Sequence, residues 1–282
     1  MSLKLTRKEI LEKAYSLPAF PHAVIHVLNT LNDPGASMVD LASYIERDPV
    51  MTGRVVAQAN VAARMGMHEA KLENVYTAAA LLGISKLREV VASVCLADFF
   101  KGSRVSSGFW DHSAGVAMVA QELANRTGFL PDFAFIAGLL HDVGQLWMER
   151  FYRTEFSEAQ EAVKNGNVTI VQSEQLVFGM DHMEVGVCLG EYWGLPKPIQ
   201  DAILGHHRPD PRGMDKLVAI VHVAEVMANA LDLGQRDTNQ VTVISPEACA
   251  LLHIDFREDM QHLLGTLEAR TRYAANVFYR HR

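Results

Sequence analysis

The sequence predicts an all-helical fold, and three observations carry that prediction. Apolar residues recur at spacings of three and four along most of the chain, which is the period of an α-helix. Strand-like alternation of apolar and polar residues is almost absent, and short stretches rich in Pro, Gly or polar residues separate the helical segments. With 282 residues, of which 49% are hydrophobic, the chain has ample material for a buried core.

The first hundred residues are predicted to form a smaller helical subdomain, 1–100. Its helices are expected at 6–15, 21–32, 37–47, 49–62, 74–82 and 84–100. The stretch LPAFP separates the first two, because proline fixes φ and lacks a backbone donor. Ser37 is a candidate N-cap with Asp40 three residues later, although Glu or Gln is the usual capping-box partner. Since this part of the chain holds no cluster of chemically active residues, we expect it to pack or to bind partners.

The polar stretch KGSRVSSG is the predicted boundary with a second helical subdomain, 101–233. Helices are expected there at 109–127, 132–149, 154–165, 168–178, 181–193, 196–207 and 214–233. A polar break at 234–240 opens a C-terminal extension, 234–282, in which a short apolar run precedes further helical periodicity. This extension is a candidate for packing or dimerisation.

The composition argues against several classes of protein. The formal net charge of −7 is opposite to the basic surface that nucleic acid or an anionic membrane requires. The three cysteines are far apart and include no CxxC pair, which is typical of reduced thiols in the cytoplasm. No apolar run approaches the ~20 residues that span a bilayer. We therefore expect a soluble, cytoplasmic protein.

Polar residues interrupt the apolar faces of five predicted helices in the second subdomain. These residues are His112, His141, Asp142, His182, His206, His207 and Glu225. One such residue alone is more often a hydrogen-bonded core residue, because buried polar groups find partners. Seven in one half of the chain favour one or two divalent cations, since imidazole and carboxylate are the usual ligands of Zn, Fe, Mn and Ni.

The order of these seven residues resembles the HD superfamily of metal-dependent phosphohydrolases. More closely, residues 17–233 resemble the HDOD domain of bacterial signalling proteins. The matching motifs are LPAFP at 17–21, DPVMTGRVVAQAN at 48–60, ALLGISKLR at 80–88, FWDHSAGVA at 109–117, AFIAGLLHDVGQL at 134–146, DHMEVGVCLGEYWGLP at 181–196 and AILGHHRP at 202–209. The resemblance implies an HD-like helical subdomain with one metal on His112, His141, Asp142 and Glu225. It also implies that Asp142 bridges to a second metal held by His182, His206 and His207.

Several positions depart from the related families. Glu225 stands where the superfamily usually has Asp, and its side chain is one methylene longer. Gln145 replaces the Lys of HD-GYP phosphodiesterases, which hydrolyse cyclic di-GMP, and Arg208 replaces the Glu that follows their paired histidines. The Gly-Tyr-Pro loop of those enzymes is also missing, so cyclic di-GMP hydrolysis is disfavoured. His222, one turn before Glu225, is a candidate second partner for a ligand.

Basic residues flank the paired histidines, and two interpretations of them stay open. Lys197, Arg208 and Lys216, with Arg212, could bind phosphate at the mouth of a site. Isolated surface charges more often form a solvated rim.

Two hypotheses for the function follow from the resemblance. The first is a regulatory module without catalysis, which relays a signal through protein partners and uses the metal as a structural or sensory element. The alternative is a metal-dependent phosphohydrolase acting on a phosphorylated small molecule or nucleotide. In that case Asp142 and His141 would be its catalytic residues.

Overall fold

The computed structural model describes residues 3–17, 20–31, 37–65, 72–103, 107–166, 168–233, 239–240 and 242–255, and all of their regular structure is helical. The helices are α1 (Arg7–Ala14), α2 (His22–Leu31), α3 (Met38–Glu46), α4 (Pro49–Met65), α5 (Val75–Leu82), α6 (Ile84–Ser103), α7 (Ser107–Thr127), α8 (Pro131–Leu140), α9 (Val143–Phe151), α10 (Arg153–Asn165), α11 (Ile170–Phe178), α12 (His182–Tyr192), α13 (Lys197–Gly205), α14 (Lys216–Ala230) and α15 (Pro246–Leu252). The all-helical prediction is confirmed, and most predicted boundaries agree within a few residues.

The N-terminal helices pack around α6, which contacts α2, α4 and α5. Ser37 caps α3 as predicted, and Asp40 takes the place of the usual Glu or Gln. The Ser37 hydroxyl accepts from the Asp40 N–H, and the Asp40 carboxylate accepts from the Ser37 N–H. This reciprocal pair satisfies two of the donors that the start of a helix leaves without helical partners.

The second group of helices is built on two sets of three packed helices. Helix α7 packs along α8 and α14, and α12 packs along α9 and α13. Gly138 permits the approach of α8 to α7, because a Cβ there would lie 2.8 Å from the Ala117 Cα atom. The two sets bring the C-terminal end of α8 to the centre of this group of helices.

The prediction of one continuous helix over 132–149 is wrong. Helix α8 ends at Leu140 and α9 begins at Val143, so that His141 and Asp142 form the turn between them. Asp142 has φ −98° and ψ 15°, which lies outside the helical region. The apolar period runs through the turn unbroken, because residues on both sides are buried. The apolar periodicity therefore does not indicate the break between α8 and α9. The break turns the His141 and Asp142 side chains towards the centre of the second group of helices.

The predicted boundary at 101–108 includes the end of α6 and the start of α7, yet one hydrophobic core runs through both groups of helices. Arg88 of α6 joins them. Its guanidinium lies 3.6 Å from the Asp132 carboxylate at the start of α8 and donates to the Thr30 carbonyl of α2 at 3.0 Å. Burial raises the pKa of Asp132. The N-terminal helices are thus attached to the helix whose other end carries His141 and Asp142.

The C-terminal extension is described as far as residue 255. It contributes α15, which packs against α14. Residues 256–282, in which further helical periodicity was predicted, lie outside the described residues. None of the described helices combines the length and apolarity needed to cross a membrane.

Candidate metal centre

The seven residues predicted from the sequence come together at one place. Their ligand atoms form two groups, and within each group the atoms lie within 4.8 Å of one another. The first group contains His112, His141 and Glu225, and the second contains Asp142, His182, His206 and His207. All are buried except His207, which is partly exposed. Five separate parts of the chain meet here: α7, the α8–α9 turn, the start of α12, the end of α13, and α14.

Asp142 lies between the two groups and turns one carboxylate oxygen towards each. Its Oδ1 is 3.3 Å from the His182 Nε2 and 3.5 Å from the His206 Nε2. Its Oδ2 is 3.4 Å from the His141 Nε2 and 3.9 Å from the His112 Nε2. This is the placement that a bridging carboxylate requires, and the bridging role itself stays a prediction.

Glu225 contacts both imidazoles of the first group, although the superfamily usually has Asp at this position. Its Oε2 lies 2.8 Å from the His112 Nε2 and 3.2 Å from the His141 Nε2. The Asn229 amide donates to the other oxygen, Oε1, at 2.7 Å. The extra methylene therefore leaves a carboxylate oxygen beside both imidazoles.

Three of the histidines are held by their Nδ1 atoms, which leaves Nε2 to face the centre. The His141 Nδ1–H donates to the Gly138 carbonyl at 2.6 Å, and the His206 Nδ1–H donates to the Ile203 carbonyl at 2.8 Å. The His182 Nδ1–H donates to the Glu174 carboxylate at 2.6 Å. Because these partners only accept, each neutral imidazole keeps its lone pair on Nε2, the arrangement usual for histidines that bind a metal.

The electrostatics of the cluster favour a bound cation. Burial works to lower the pKa of His141, but Asp142 and Glu225 outweigh it and raise that pKa to about 10. Burial works to raise the pKa of Asp142, but the charges on His141 and His182 hold it well below its usual range. The ionised carboxylates therefore retain protons on His141 and His182, whereas burial lowers the pKa values of His206 and His207. A divalent ion would replace those protons, since metal binding competes with protonation.

The donor set fits a divalent transition metal. Among the described residues, the buried atoms His141 Nε2, His207 Nε2 and Glu225 Oε2 lack a hydrogen-bond partner of acceptable geometry. Buried polar atoms without partners are costly and rare. Imidazole nitrogen and carboxylate oxygen are the ligands of Fe, Mn, Zn and Ni, so this cluster is able to hold such an ion.

Glu174 belongs to the site and was missed in the sequence. This residue of α11 is fully buried, and its Oε2 accepts from both the His182 Nδ1–H at 2.6 Å and the His182 backbone N–H at 2.9 Å. Glu174 shares an apolar face with Val171 and Phe178, at spacings of three and four. The criterion that identified the other seven residues would therefore have found it too.

Replacing Glu174 with Gln is expected to weaken metal binding at the second group by about 10- to 100-fold, the usual effect of losing a residue that orients a metal ligand. The amide lacks the charge that makes the His182 imidazole a better donor. Calorimetric titration of the metal-free protein with Mn²⁺ would measure this. Glu158→Gln, an exposed change on the neighbouring α10, is the control. Equal affinities in both variants would contradict the role of Glu174.

His222 supports the site through the backbone. Its Nδ1–H donates to the His206 carbonyl at 2.7 Å, and its Nε2 accepts from the Ser245 N–H at 2.9 Å. His222 therefore connects the paired histidines to the N-cap of α15. The bond from Ser245 requires the neutral imidazole, because a protonated Nε2 cannot accept. Burial lowers the pKa of His222 below 6.5.

Acid is expected to destabilise the metal-free protein partly through His222. The unfolded chain takes up the proton at pH values of about 6.5 and below, whereas folded His222 resists it. Stability is therefore complete above about pH 6.5 and is lost as the pH falls from there towards the lower folded pKa. His222→Gln should lose less unfolding free energy than wild type between about pH 7 and 5, measured by urea denaturation with chelator. The exposed change His22→Gln should follow wild type; parallel curves for all three proteins would contradict this prediction.

A cavity of about 360 Å³ opens beside the cluster. It is lined by Gln145, Thr169, Ile170, Val171, Gln172, His207, Arg208, Glu225, Asn229, Asn239, Gln240 and Thr242. Of the predicted phosphate-binding residues, Arg208 lines it. Lys197 instead pairs with Asp201 at 2.6 Å, and Lys216 donates to the Thr127 carbonyl at 2.5 Å.

Comparison with known proteins assigns the family. Residues 17–209 match the family model described as the HDOD domain. The chain belongs to the HDOD family. The match ends before α14, so the part that Glu225, Asn229 and His222 play in this HDOD protein rests on the geometry described above.

Solved structures share the fold. An HDOD domain protein of unknown function from Geobacter sulfurreducens is 27% identical, with a TM-score of 0.78 over 96% of this chain and 98% of that one. A protein from Shewanella amazonensis, provisionally named a phosphohydrolase, is 24% identical, with a TM-score of 0.69 over 92% and 93% of the two chains. A protein from Marinobacter aquaeolei, provisionally named a signal transduction protein, is 19% identical, with a TM-score of 0.74 over 97% and 66%. At these identities the last two support the fold alone.

A curated relative has a longer chain. An uncharacterized protein from Treponema pallidum (strain Nichols) is 22% identical over 238 residues, which cover 82% of this chain. The HDOD protein spans about half, 46%, of the length of that relative.

Proposed function

We propose that this HDOD protein is a regulatory module in which two divalent metal ions occupy the buried cluster and act as a structural or sensory element. The observation that carries this proposal is the position of Asp142, with one carboxylate oxygen facing each group of imidazoles. One shared carboxylate lets two ions bind close together, because it offsets part of their mutual repulsion.

The connection between the cluster and the N-terminal helices supports a regulatory role. His141 and Asp142 stand at one end of α8, and Asp132 at its other end contacts Arg88 of α6. A change in the α8–α9 turn on metal binding would therefore reach helices whose surface exposes apolar side chains such as Val39 and Val50. Such side chains suit contact with a protein partner in signalling.

A second candidate, a metal-dependent phosphohydrolase, is favoured by the cavity beside the cluster. Glu225 of the first group and His207 of the second both line it, so a ligand there would reach both groups. Bound metal ions lower the pKa of a coordinated water and bind phosphoryl oxygens. Gln145 lines the cavity, and cyclic di-GMP phosphodiesterases carry Lys at this position of the sequence. The absence of that Lys disfavours cyclic di-GMP as the substrate.

Metal analysis and an activity screen separate the two candidates. Elemental analysis of the purified protein should find about two transition-metal ions per chain; a metal content near zero, unchanged by Mn²⁺ or Fe²⁺, would contradict the site. The loaded protein is then assayed with p-nitrophenyl phosphate and bis-p-nitrophenyl phosphate. Turnover that Asp142→Ala abolishes would establish the phosphohydrolase. Full occupancy without turnover would support the regulatory module.

Hydrogen exchange tests the regulatory candidate directly. We expect metal loading to change amide protection in α2 and α6 as well as around the cluster, because Arg88 joins these helices to α8. Arg88→Met should confine the change to the cluster. A response that is confined to the cluster in wild type would contradict the proposed relay.

A further inference from the structure

The cavity beside the cluster has an unusual lining. Carboxamide side chains contribute five of its twelve lining residues and threonine two more. The carboxamides are Gln145, Gln172, Asn229, Asn239 and Gln240. A carboxamide can both donate and accept, although the Asn239 Nδ2 already donates to the Asn229 carbonyl and the Asp232 carboxylate, so that residue offers its oxygen. The wall therefore suits an uncharged ligand surface rich in groups that donate and accept.

Three further properties of the cavity restrict the chemistry of the ligand. Arg208 is the one cationic side chain among the described lining residues, too few for a ligand with several separated phosphates. No Phe, Tyr or Trp side chain occurs among those residues, and nucleobases are commonly held by stacking on such rings. A volume of about 360 Å³ is near the lower end of the ~300–1,000 Å³ usual for small-molecule sites. A hydroxyl-rich ligand with one phosphate satisfies all three conditions.

Part of the cavity lining is suited to an anion. His207 and Glu225 place it against both groups of the cluster, and Arg208 is adjacent in sequence to His207. Ile170 and Val171, in the first turn of α11, line the same cavity. The N–H groups at the start of a helix have no helical acceptors and favour negative charge.

From these contacts we infer that the cavity binds a small phosphorylated sugar or polyol. The phosphate lies at the cluster beside Arg208, and the hydroxyls bond to the carboxamides and threonines. The inference rests on the proposed metal centre, and it specifies the ligand whether that ligand is sensed or hydrolysed. The same lining favours this ligand over nucleotides and cyclic dinucleotides.

Calorimetric binding to the metal-loaded protein tests the inference with four probes: glucose 6-phosphate, inorganic phosphate, adenosine monophosphate and cyclic di-GMP. Glucose 6-phosphate should bind at least about tenfold more tightly than the other three, because its ring offers more hydroxyls to the wall than either nucleotide does and inorganic phosphate has no sugar. Equal affinity for phosphate and glucose 6-phosphate would overturn the inference. So would tighter binding of either nucleotide.

Two pairs of variants locate the ligand. Thr242→Phe fills the cavity and should weaken glucose 6-phosphate binding by at least about tenfold while phosphate binding persists; Val243→Phe, at an adjacent residue that is 88% exposed, should change neither. Arg208→Gln should weaken the binding of both probes. Arg153→Gln, an exposed change on α10 at a residue outside the described lining, should weaken neither. A Thr242→Phe protein that binds glucose 6-phosphate normally would overturn the assignment.

Failure of the metal centre and failure of the cavity are distinguishable. Metal content is measured on the same samples, and the glucose 6-phosphate titration is repeated after chelation. If no metal binds, the proposed function fails, and the chelated titration then decides the cavity. Binding that Thr242→Phe removes would support the cavity alone, and no binding would overturn it.

Discussion

Asp142→Asn is expected to reduce the metal content of the protein from two ions per chain to none at micromolar metal. Of the seven clustered residues, Asp142 is the one whose oxygens face both groups, at 3.3 Å from the His182 Nε2 and 3.4 Å from the His141 Nε2. The substitution keeps the shape of the side chain but removes its charge and replaces one oxygen with an NH₂ group that cannot bind a cation. Glu225 would then be the only carboxylate among the seven residues.

The magnitude should exceed the effect of losing a residue that merely supports a ligand. We expect affinity at both groups to fall by more than about 100-fold, the upper limit for supporting residues. His207→Ala is the matched comparison, because His207 belongs to the second group alone and should release one ion while the other stays. Elemental analysis after dialysis against trace Mn²⁺ measures both variants. Two retained ions in Asp142→Asn would contradict the shared carboxylate.

Gly144→Ala is expected to cost at least about 3 kcal/mol of unfolding free energy, at the upper end of the effects of overpacking. A Cβ at Gly144 would lie 1.9 Å from the His182 carbonyl oxygen and 2.9 Å from the Gly186 backbone nitrogen. These are backbone atoms of α12, so no side chain can rotate to make room. Helix α12 must move away from α9, and His182 moves with it, so metal binding should weaken as well.

The matched control is the same substitution at Gly53. No atom lies within 4 Å of a Cβ built at this exposed position inside α4, so Gly53→Ala should stabilise the protein by about 0.5–1 kcal/mol. Urea denaturation of the metal-free proteins compares the two variants with wild type. Wild-type stability in Gly144→Ala would show that α9 and α12 do not require this close approach.

The helical fold was predictable because it depends on local periodicity. Spacings of three and four define a helix whatever it packs against, so the predicted helices agree with those observed apart from the one that contains His141 and Asp142. The break in that helix has its cause in the tertiary structure. The α8–α9 turn is surrounded by buried residues, and the approach of the α12 backbone to Gly144 involves residues about forty positions away.

The seven clustered residues were likewise predictable one by one, since a polar residue on an apolar face needs a partner wherever that face lies. Glu174 meets the same criterion, and its partner, His182, could be identified only once α11 and α12 were seen side by side. The distances that divide the cluster into two groups, the cavity beside it, and the separation of Arg208 from Lys197 and Lys216 depend on how distant helices pack. Local sequence specifies which faces must be buried, and the packing of those faces against one another decides which side chains meet.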